Sequence, residues 1–295
     1  MKMNVLITGG GGFVTPYLLK ALDPSWHVTL HVRDPMKAKE IPSGRSVKII
    51  SGPITKIGLL NDVPEDCQLV IHLAGSFSGK DIDTIFNNNL VSTQSVLSFM
   101  QERRITRLIF MSTASVWSDF NGKCHTENDP ACPGTPYGYS KFAAECLIDN
   151  AIRNDIIKSA AILRANSTYG GGAKQGVIFS FFNSISLRKP FIINGDGQQL
   201  REPIFINDLV TAIIATFKLG NGFHVFGISG AETLTIFDIA KKMAKIADIK
   251  FQVEWMPEKD EHSRHLIIDI TKAREELSWI PQVSFDQGIQ MILKP

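Results

Sequence analysis

Asn4-Val5-Leu6-Ile7-Thr8-Gly9-Gly10-Gly11-Gly12-Phe13-Val14-Thr15-Pro16-Tyr17 is an apolar run that stops in four glycines and resumes at helical spacing as Leu18-Leu19-Lys20-Ala21-Leu22. The pattern predicts strand, tight turn, helix. Such a turn lets backbone N–H groups approach a phosphate with no side chain between, and the helix that follows aims its positive end at the anion. Gly9 and Gly12 fit the first two glycines of a dinucleotide-binding turn. The place of the third, where helix and strand normally pack closest, is held by Thr15. A glycine turn alone is a weak signal of a nucleotide site, so the surrounding chain has to support it.

His27-Val28-Thr29-Leu30-His31-Val32 predicts a second strand, closed by Arg33-Asp34-Pro35. Strand, helix, strand in so short a span is a β-α-β unit, whose right-handed crossover makes the sheet parallel and sets the glycine turn at its carboxyl edge. In a dinucleotide site the end of the second strand faces the adenine ribose. An acid there binds a free 2'-hydroxyl, whereas an arginine grips a 2'-phosphate. The place falls at Val32 or Arg33, and neither is an acid. This favours the phosphorylated cofactor, NADP over NAD, unless Arg33 and Asp34 are only solvated turn residues.

Further strands are predicted at Val47-Lys48-Ile49-Ile50, at Leu69 to Leu73 ending in Ala74-Gly75, and at Leu108-Ile109-Phe110-Met111 ending in Ser112-Thr113-Ala114-Ser115. A single helix is predicted from Ile82 to Arg103. Hydroxyls thus sit at a strand's carboxyl end, where open α/β sheets place their ligands. After a polar loop, Pro136-Tyr137-Gly138-Tyr139-Ser140-Lys141 opens the next helix. Tyr137 and Lys141 are four apart and share a helix face. An ammonium near a phenol is expected to lower its pKa from about 10 towards the range where it takes a proton from an alcohol. A hydride-transfer site needs such a pair.

Composition sets the bounds. With 295 residues, 44% of them hydrophobic, the chain can bury a full core. A formal net charge of +2 and the absence of basic runs give nucleic acid no support. No apolar stretch reaches the length of a membrane span. The cysteines Cys67, Cys124, Cys132 and Cys146 fall in no metal or redox spacing, and no signal-peptide pattern opens the chain, so reduced thiols in a cytoplasmic protein are expected. His262 and His265 follow a charged loop, Glu258-Lys259-Asp260-Glu261, which argues against a metal site.

Taken in order, Thr8 to Val14, His72-Leu-Ala-Gly75, Met111-Ser-Thr113-Ala-Ser-Val, Tyr137-Gly-Tyr-Ser-Lys141, Leu163-Arg164-Ala-Asn166 with Tyr169-Gly170, and Gly195 to Arg201 with Phe205-Ile-Asn-Asp208 resemble the extended short-chain dehydrogenases, in particular their nucleotide-sugar epimerase/dehydratase branch. The resemblance runs from Met3 to about Ile292, since Ala273-Arg-Glu-Glu-Leu277-Ser-Trp279-Ile-Pro281 is similar to the family's closing motif. It implies Tyr137 as general acid/base, Lys141 on the nicotinamide ribose, and Thr113 on the reacting oxygen. Gly9, Gly12, Phe13, Val14, Arg33, Ala74 and Asn89 would line the cofactor, Arg201 would hold the substrate's diphosphate, and Asn166 lies close to a substrate-binding asparagine. A homodimer is left open.

Several positions depart from the family. Thr15 replaces the third glycine, Pro53 stands where relatives carry an adenine-binding aspartate, Trp117-Ser118 replaces a tyrosine and glycine, and Asn166 is one place out of register, with Ser167 where the asparagine should fall. The nicotinamide end is intact and the adenosine end altered. A dehydratase of the family would need an acidic pair just after the hydroxyl, and Ala114-Ser115 sets that reaction aside. The resulting expectation is a doubly wound parallel α/β (Rossmann) sheet in residues 1–165, with the chain returning to it at about 203–220, and a smaller C-terminal substrate lobe in 166–295. The expected activity is NAD(P)-dependent hydride transfer on a nucleotide-diphosphate sugar, by an epimerase or keto-sugar reductase. The rival is a dinucleotide sensor without turnover.

Overall fold

The computed structural model describes residues 2–37, 46–55, 59–77, 81–117, 122–257 and 265–293. Seven strands form one parallel sheet: β1 Asn4–Thr8, β2 His27–Val32, β3 Val47–Ser51, β4 Leu69–His72, β5 Arg107–Thr113, β6 Ser159–Ala165 and β7 Gly222–Ile228, in the spatial order β7-β6-β5-β4-β1-β2-β3. Every pairing within it is parallel. The order reverses between β1 and β4, which leaves a crevice at their carboxyl ends, where α/β sheets bind ligands. Alternation along β1 explains the two layers. Val5 and Ile7 join one core with Leu18 and Leu19 of helix α1 (Thr15–Ala21) and Leu209 and Ile213 of a later helix. Leu6 joins the other, with Val96 and Met100 on one helix and Ala144 and Ile148 on the next. Each large side chain so buried is worth about 1.5–3 kcal/mol.

The segment expected as a single helix is three pieces: α2 Ile82–Phe86, a π-turn Asn87–Val91, and α3 Ser92–Arg103. The hydroxyls of Ser92 and Thr93 donate to the carbonyls of Asn88 (2.7 Å) and Asn89 (2.6 Å), which loosens the regular ladder there. Helix α4, Pro136–Arg153, starts on a Thr135 cap whose hydroxyl accepts from Gly138 N at 3.1 Å. A Cβ on Gly138 would fall 2.3 Å from the Ser115 carbonyl oxygen, so only glycine lets α4 seat against the end of β5.

The second half supplies α5 Val177–Leu187, α6 Ile206–Ala215, α7 Ile236–Ile246, α8 Thr271–Leu277 and α9 Phe285–Leu293, with short two-stranded ladders between them. The segment at 203–220 includes α6, which packs on α1, and the last strand of the sheet, β7, follows at 222–228. The phenol of Tyr17 on α1 donates to the Gly171 carbonyl at 2.9 Å and ties the glycine-turn helix to the start of the lobe.

Candidate active site

The glycine turn closes on itself, with Gly12 N donating to the Gly9 carbonyl at 2.8 Å. Gly9 has φ +80°. Thr15, buried in place of a third glycine, donates its hydroxyl to the same carbonyl at 3.1 Å, so the departure keeps the turn by a hydrogen bond instead of by closeness. Phe13 and Val14 are half-buried behind it, and the Phe13 ring meets Tyr17 edge-on at 6.1 Å. The residues present fit a dinucleotide. A Cβ at Gly9 would lie 2.7 Å from Ala74 N, one at Gly12 2.9 Å from the Gly9 carbonyl, and one at Gly75 2.9 Å from Asn89 Oδ1 and 3.0 Å from Lys141 Nζ. Turn and facing loop thus line a cradle that side chains would fill.

A chain of buried hydrogen bonds joins that cradle to the helix opposite. Thr93 Oγ1 donates to the Asn89 carbonyl, so it accepts from His72 Nε2 at 3.0 Å. His72 Nδ1 is then the acceptor for Thr8 Oγ1 at 2.6 Å, and Thr8 Oγ1 accepts from Ala74 N at 3.2 Å. The network assigns the tautomer. Burial, with Lys141 and His31 nearby, holds the His72 pKa down to about 3, so the ring stays neutral. Asn89, set inward by the π-turn, accepts from Ser76 N (2.7 Å) and donates to Ser76 O (3.0 Å) and Ser140 Oγ (2.8 Å). Ser140 in turn donates to the Tyr137 carbonyl. Thr8, Thr93 and Ser140 were not singled out as sequence candidates, since buried hydroxyls carry no pattern of their own.

Thr113 ends β5 and accepts from Ser115 N at 3.1 Å, while its hydroxyl shares a hydrogen bond with the Tyr137 phenol. Tyr137 lies in the first turn of α4, against the Phe77 ring at 5.0 Å, and Lys141 lies one turn on. Lys141 Nζ is buried, donates to the Met111 carbonyl at 2.7 Å and sits 4.5 Å over the Phe110 ring. The expected lowering of the phenol pKa is therefore not found. Burial pushes Tyr137 up to about 12 against the pull of Thr113, because the ammonium is turned to the Met111 carbonyl. Burial also brings Lys141 down to about 8, opposed by Glu145. In this state the pair is a neutral phenol and a weakly held ammonium.

The remaining candidates lie further out. Arg33 is exposed at the end of β2, and its Nη2 donates to Asn88 Oδ1, beside Asn89. Below it His31 Nε2 donates to the Gly52 carbonyl at 2.9 Å, next to exposed Pro53. Arg201 is half-buried on a short strand paired with Leu234–Thr235 and donates Nη1 to the Leu200 carbonyl at 2.8 Å. Asn166 is buried, and its amide is committed to protein: Nδ2 donates to Ser229 Oγ (3.2 Å) and the Leu266 carbonyl (3.0 Å), and Oδ1 accepts from Ser167 N (2.8 Å). These bonds make it a tie between β6 and the segment at 266, not a group facing a ligand. Trp117 is buried under the Arg164 guanidinium at 4.6 Å and stacked on His125 at 5.5 Å. His262 and Ser118 lie outside the described residues. Among those described, no three His, Cys, Asp or Glu converge as metal ligands, and no helix is long and apolar enough to cross a membrane.

Known proteins are similar to this chain in sequence and fold. The model of the NAD dependent epimerase/dehydratase family matches residues 5–228. A UDP-glucuronate 4-epimerase of Thermodesulfobacterium geofontis is 25% identical over 97% of this chain and 93% of its own. A dTDP-4-dehydro-6-deoxyglucose reductase of Escherichia coli is 25% identical over 99% of this chain and 97% of its own. Among solved structures, UDP-glucuronic acid 4-epimerase from Bacillus cereus, in complex with UDP-glucuronic acid and NAD, is similar with a TM-score of 0.88 and 26% identity, covering 99% of this chain and 98% of that one. The family match spans the first strand of the sheet to its last, and the chain belongs to the NAD dependent epimerase/dehydratase family.

Proposed function

We propose that this chain catalyses hydride transfer at a sugar carbon of a nucleotide-diphosphate sugar, with a preference for NADP and for the direction of keto-sugar reduction. One observation carries the reading: the Thr113 hydroxyl and the Tyr137 phenol share a hydrogen bond at the carboxyl edge of the sheet, with Lys141 one turn below. The nicotinamide, when bound, supplies or accepts the hydride. Tyr137 gives a proton to the carbonyl oxygen or takes one from the hydroxyl, and Thr113 holds that oxygen. Lys141 and Asn89 anchor the ribose side, and Gly9, Gly12, Phe13, Val14 and Ala74 admit the pyrophosphate. The phenol is protonated, the form that gives its proton to a carbonyl oxygen in reduction, and the direction of reduction follows from the preference for NADP. The helix N-terminus beneath Tyr137 favours the phenolate left behind. Arg201 is the proposed contact to the substrate diphosphate.

Arg33 supports NADP, since an exposed guanidinium stands at the end of β2 where an acid would repel a 2'-phosphate, with Asp34 next to it offsetting part of that gain. The test is to identify the nucleotide and sugar nucleotide retained by the purified protein, and to measure the ratio of Kd values for NADP and NAD in wild type and Arg33→Ala. NADP should bind more tightly, and the substitution should bring the two together. Equal affinities in wild type would make Arg33 a solvated turn residue and move the epimerase reading ahead. The four free cysteines suit a reducing, cytoplasmic setting. A homodimer is the proposed assembly, and sedimentation tests it.

A further inference from the structure

Beneath the catalytic pair lies a charged cluster that the reaction itself does not call on. Glu145, one turn after Lys141 on α4, is 2% exposed. Its carboxylate accepts from the Ser112 hydroxyl on β5 and from Arg164 on β6, with Nε at 3.2 Å from each oxygen and Nη2 at 2.7 Å from Oε2. Ser112 stands between Met111, whose carbonyl holds Lys141 Nζ, and Thr113, which holds the phenol. One carboxylate thus ties together the helix carrying Tyr137 and Lys141, the strand end carrying Thr113, and the neighbouring strand. A buried carboxylate with such partners is costly to leave unpaired, and its geometry is correspondingly fixed.

We infer that Glu145 is a positioning residue: it pins Met111–Thr113 to α4 through Ser112 and stands as the counter-charge one helical turn from the Lys141 ammonium, with Arg164 on its other side. The ionisable groups facing Lys141 are Tyr137 and Glu145 on α4, His72 on β4, and Arg164 on β6 behind Glu145. His72 is neutral and Tyr137 is protonated, so Glu145 is the anion of this set. Burial alone takes Lys141 towards the neutral amine, and Glu145 opposes that. The catalytic consequence rests on the hydride-transfer reading above, whereas the charge of Lys141 can be read without substrate, so the two fail separately.

The test uses the full chain with 13C at lysine Cε. The Lys141 resonance is assigned by its loss in Lys141→Met and titrated by NMR. Glu145→Gln, which keeps an acceptor for Ser112 but removes the charge, should lower the midpoint by about one unit or more, the shift expected for losing a nearby opposite charge. Arg164→Gln, which keeps a donor to Glu145, should raise it. Ser112→Ala should leave it in place while hydrogen exchange in the peptide spanning 107–117 becomes faster. An unmoved midpoint in folded Glu145→Gln overturns the electrostatic role. If that variant does not fold, a midpoint that fails to rise in Arg164→Gln does so instead. Unchanged exchange in Ser112→Ala overturns the pinning role.

Discussion

Replacing Gly9 with alanine tests whether the glycine turn is built as described. At φ +80° an L-residue costs about 1–2 kcal/mol relative to glycine. The added Cβ would also meet Ala74 N at 2.7 Å and the Leu73 carbonyl carbon and oxygen at 2.8 and 2.9 Å. These are backbone atoms at the end of a central strand, which cannot swing aside, and overpacking of this kind typically costs another 1–3 kcal/mol or so. Gly9→Ala should therefore lose roughly 2–5 kcal/mol of stability in urea denaturation, and dinucleotide affinity with it. Gly12→Ala provides the contrast. Its Cβ meets only the Gly9 carbonyl, at 2.9 Å, and its φ is not positive. It should lose less stability yet still weaken the dinucleotide, by putting a methyl where the phosphate approaches. A Gly9→Ala protein as stable as wild type would refute the packing of the turn against the Ala74 loop. Unchanged cofactor affinity in both variants would remove the turn from the binding site.

Three other outcomes follow from the same geometry. His72 is neutral when folded, with a pKa near 3 against 6.5 when unfolded, so stability is full above 6.5 and falls as pH drops towards 3. By pH 4.5 this loss amounts to roughly 2–3 kcal/mol, and His72→Gln should lose correspondingly less than wild type when urea midpoints at pH 7 and 4.5 are compared. Arg201→Ala should weaken the sugar nucleotide by about one to two orders of magnitude, the worth of a charge-assisted phosphate contact, with little change for the cofactor. Titrating each ligand separately decides this, and a selective loss of cofactor affinity would contradict it. Thr15→Val should loosen the turn by the roughly 1 kcal/mol of its hydrogen bond to Gly9, and an unaltered urea midpoint would count against that bond.

How far the sequence announced this structure depends on whether a residue acts through its neighbours in the chain or across space. The Asn4 to Leu22 unit was legible because apolar period, glycines and a following helical pattern are all local. Tyr137 and Lys141 were legible because helical spacing alone places them on one face. The π-turn at Asn87–Val91 was not, since it depends on Ser92 and Thr93 bonding back to carbonyls and on Asn89 reaching Ser76 and Ser140. Asn166 read as a ligand group, but its partners at 229 and 266 lie far along the chain. The phenol's pKa was misjudged for the same reason. Spacing brings Lys141 near Tyr137, but only the fold shows that the ammonium turns to Met111.

The central claim is that Tyr137 moves the proton while Thr113 and Lys141 hold the reacting oxygen and the cofactor. Its most direct measurement is the rate of nicotinamide oxidation in wild type, Thr113→Ala and Tyr137→Phe, using the nucleotide keto-sugar matching whatever sugar nucleotide the protein retains, with dinucleotide Kd measured on the same samples. Tyr137→Phe keeps the ring against Phe77 and loses only the proton path, so its rate should fall by about a hundredfold or more while Kd stays within about twofold. Thr113→Ala should fall less. A phenylalanine variant that turns over at nearly the wild-type rate would contradict the account.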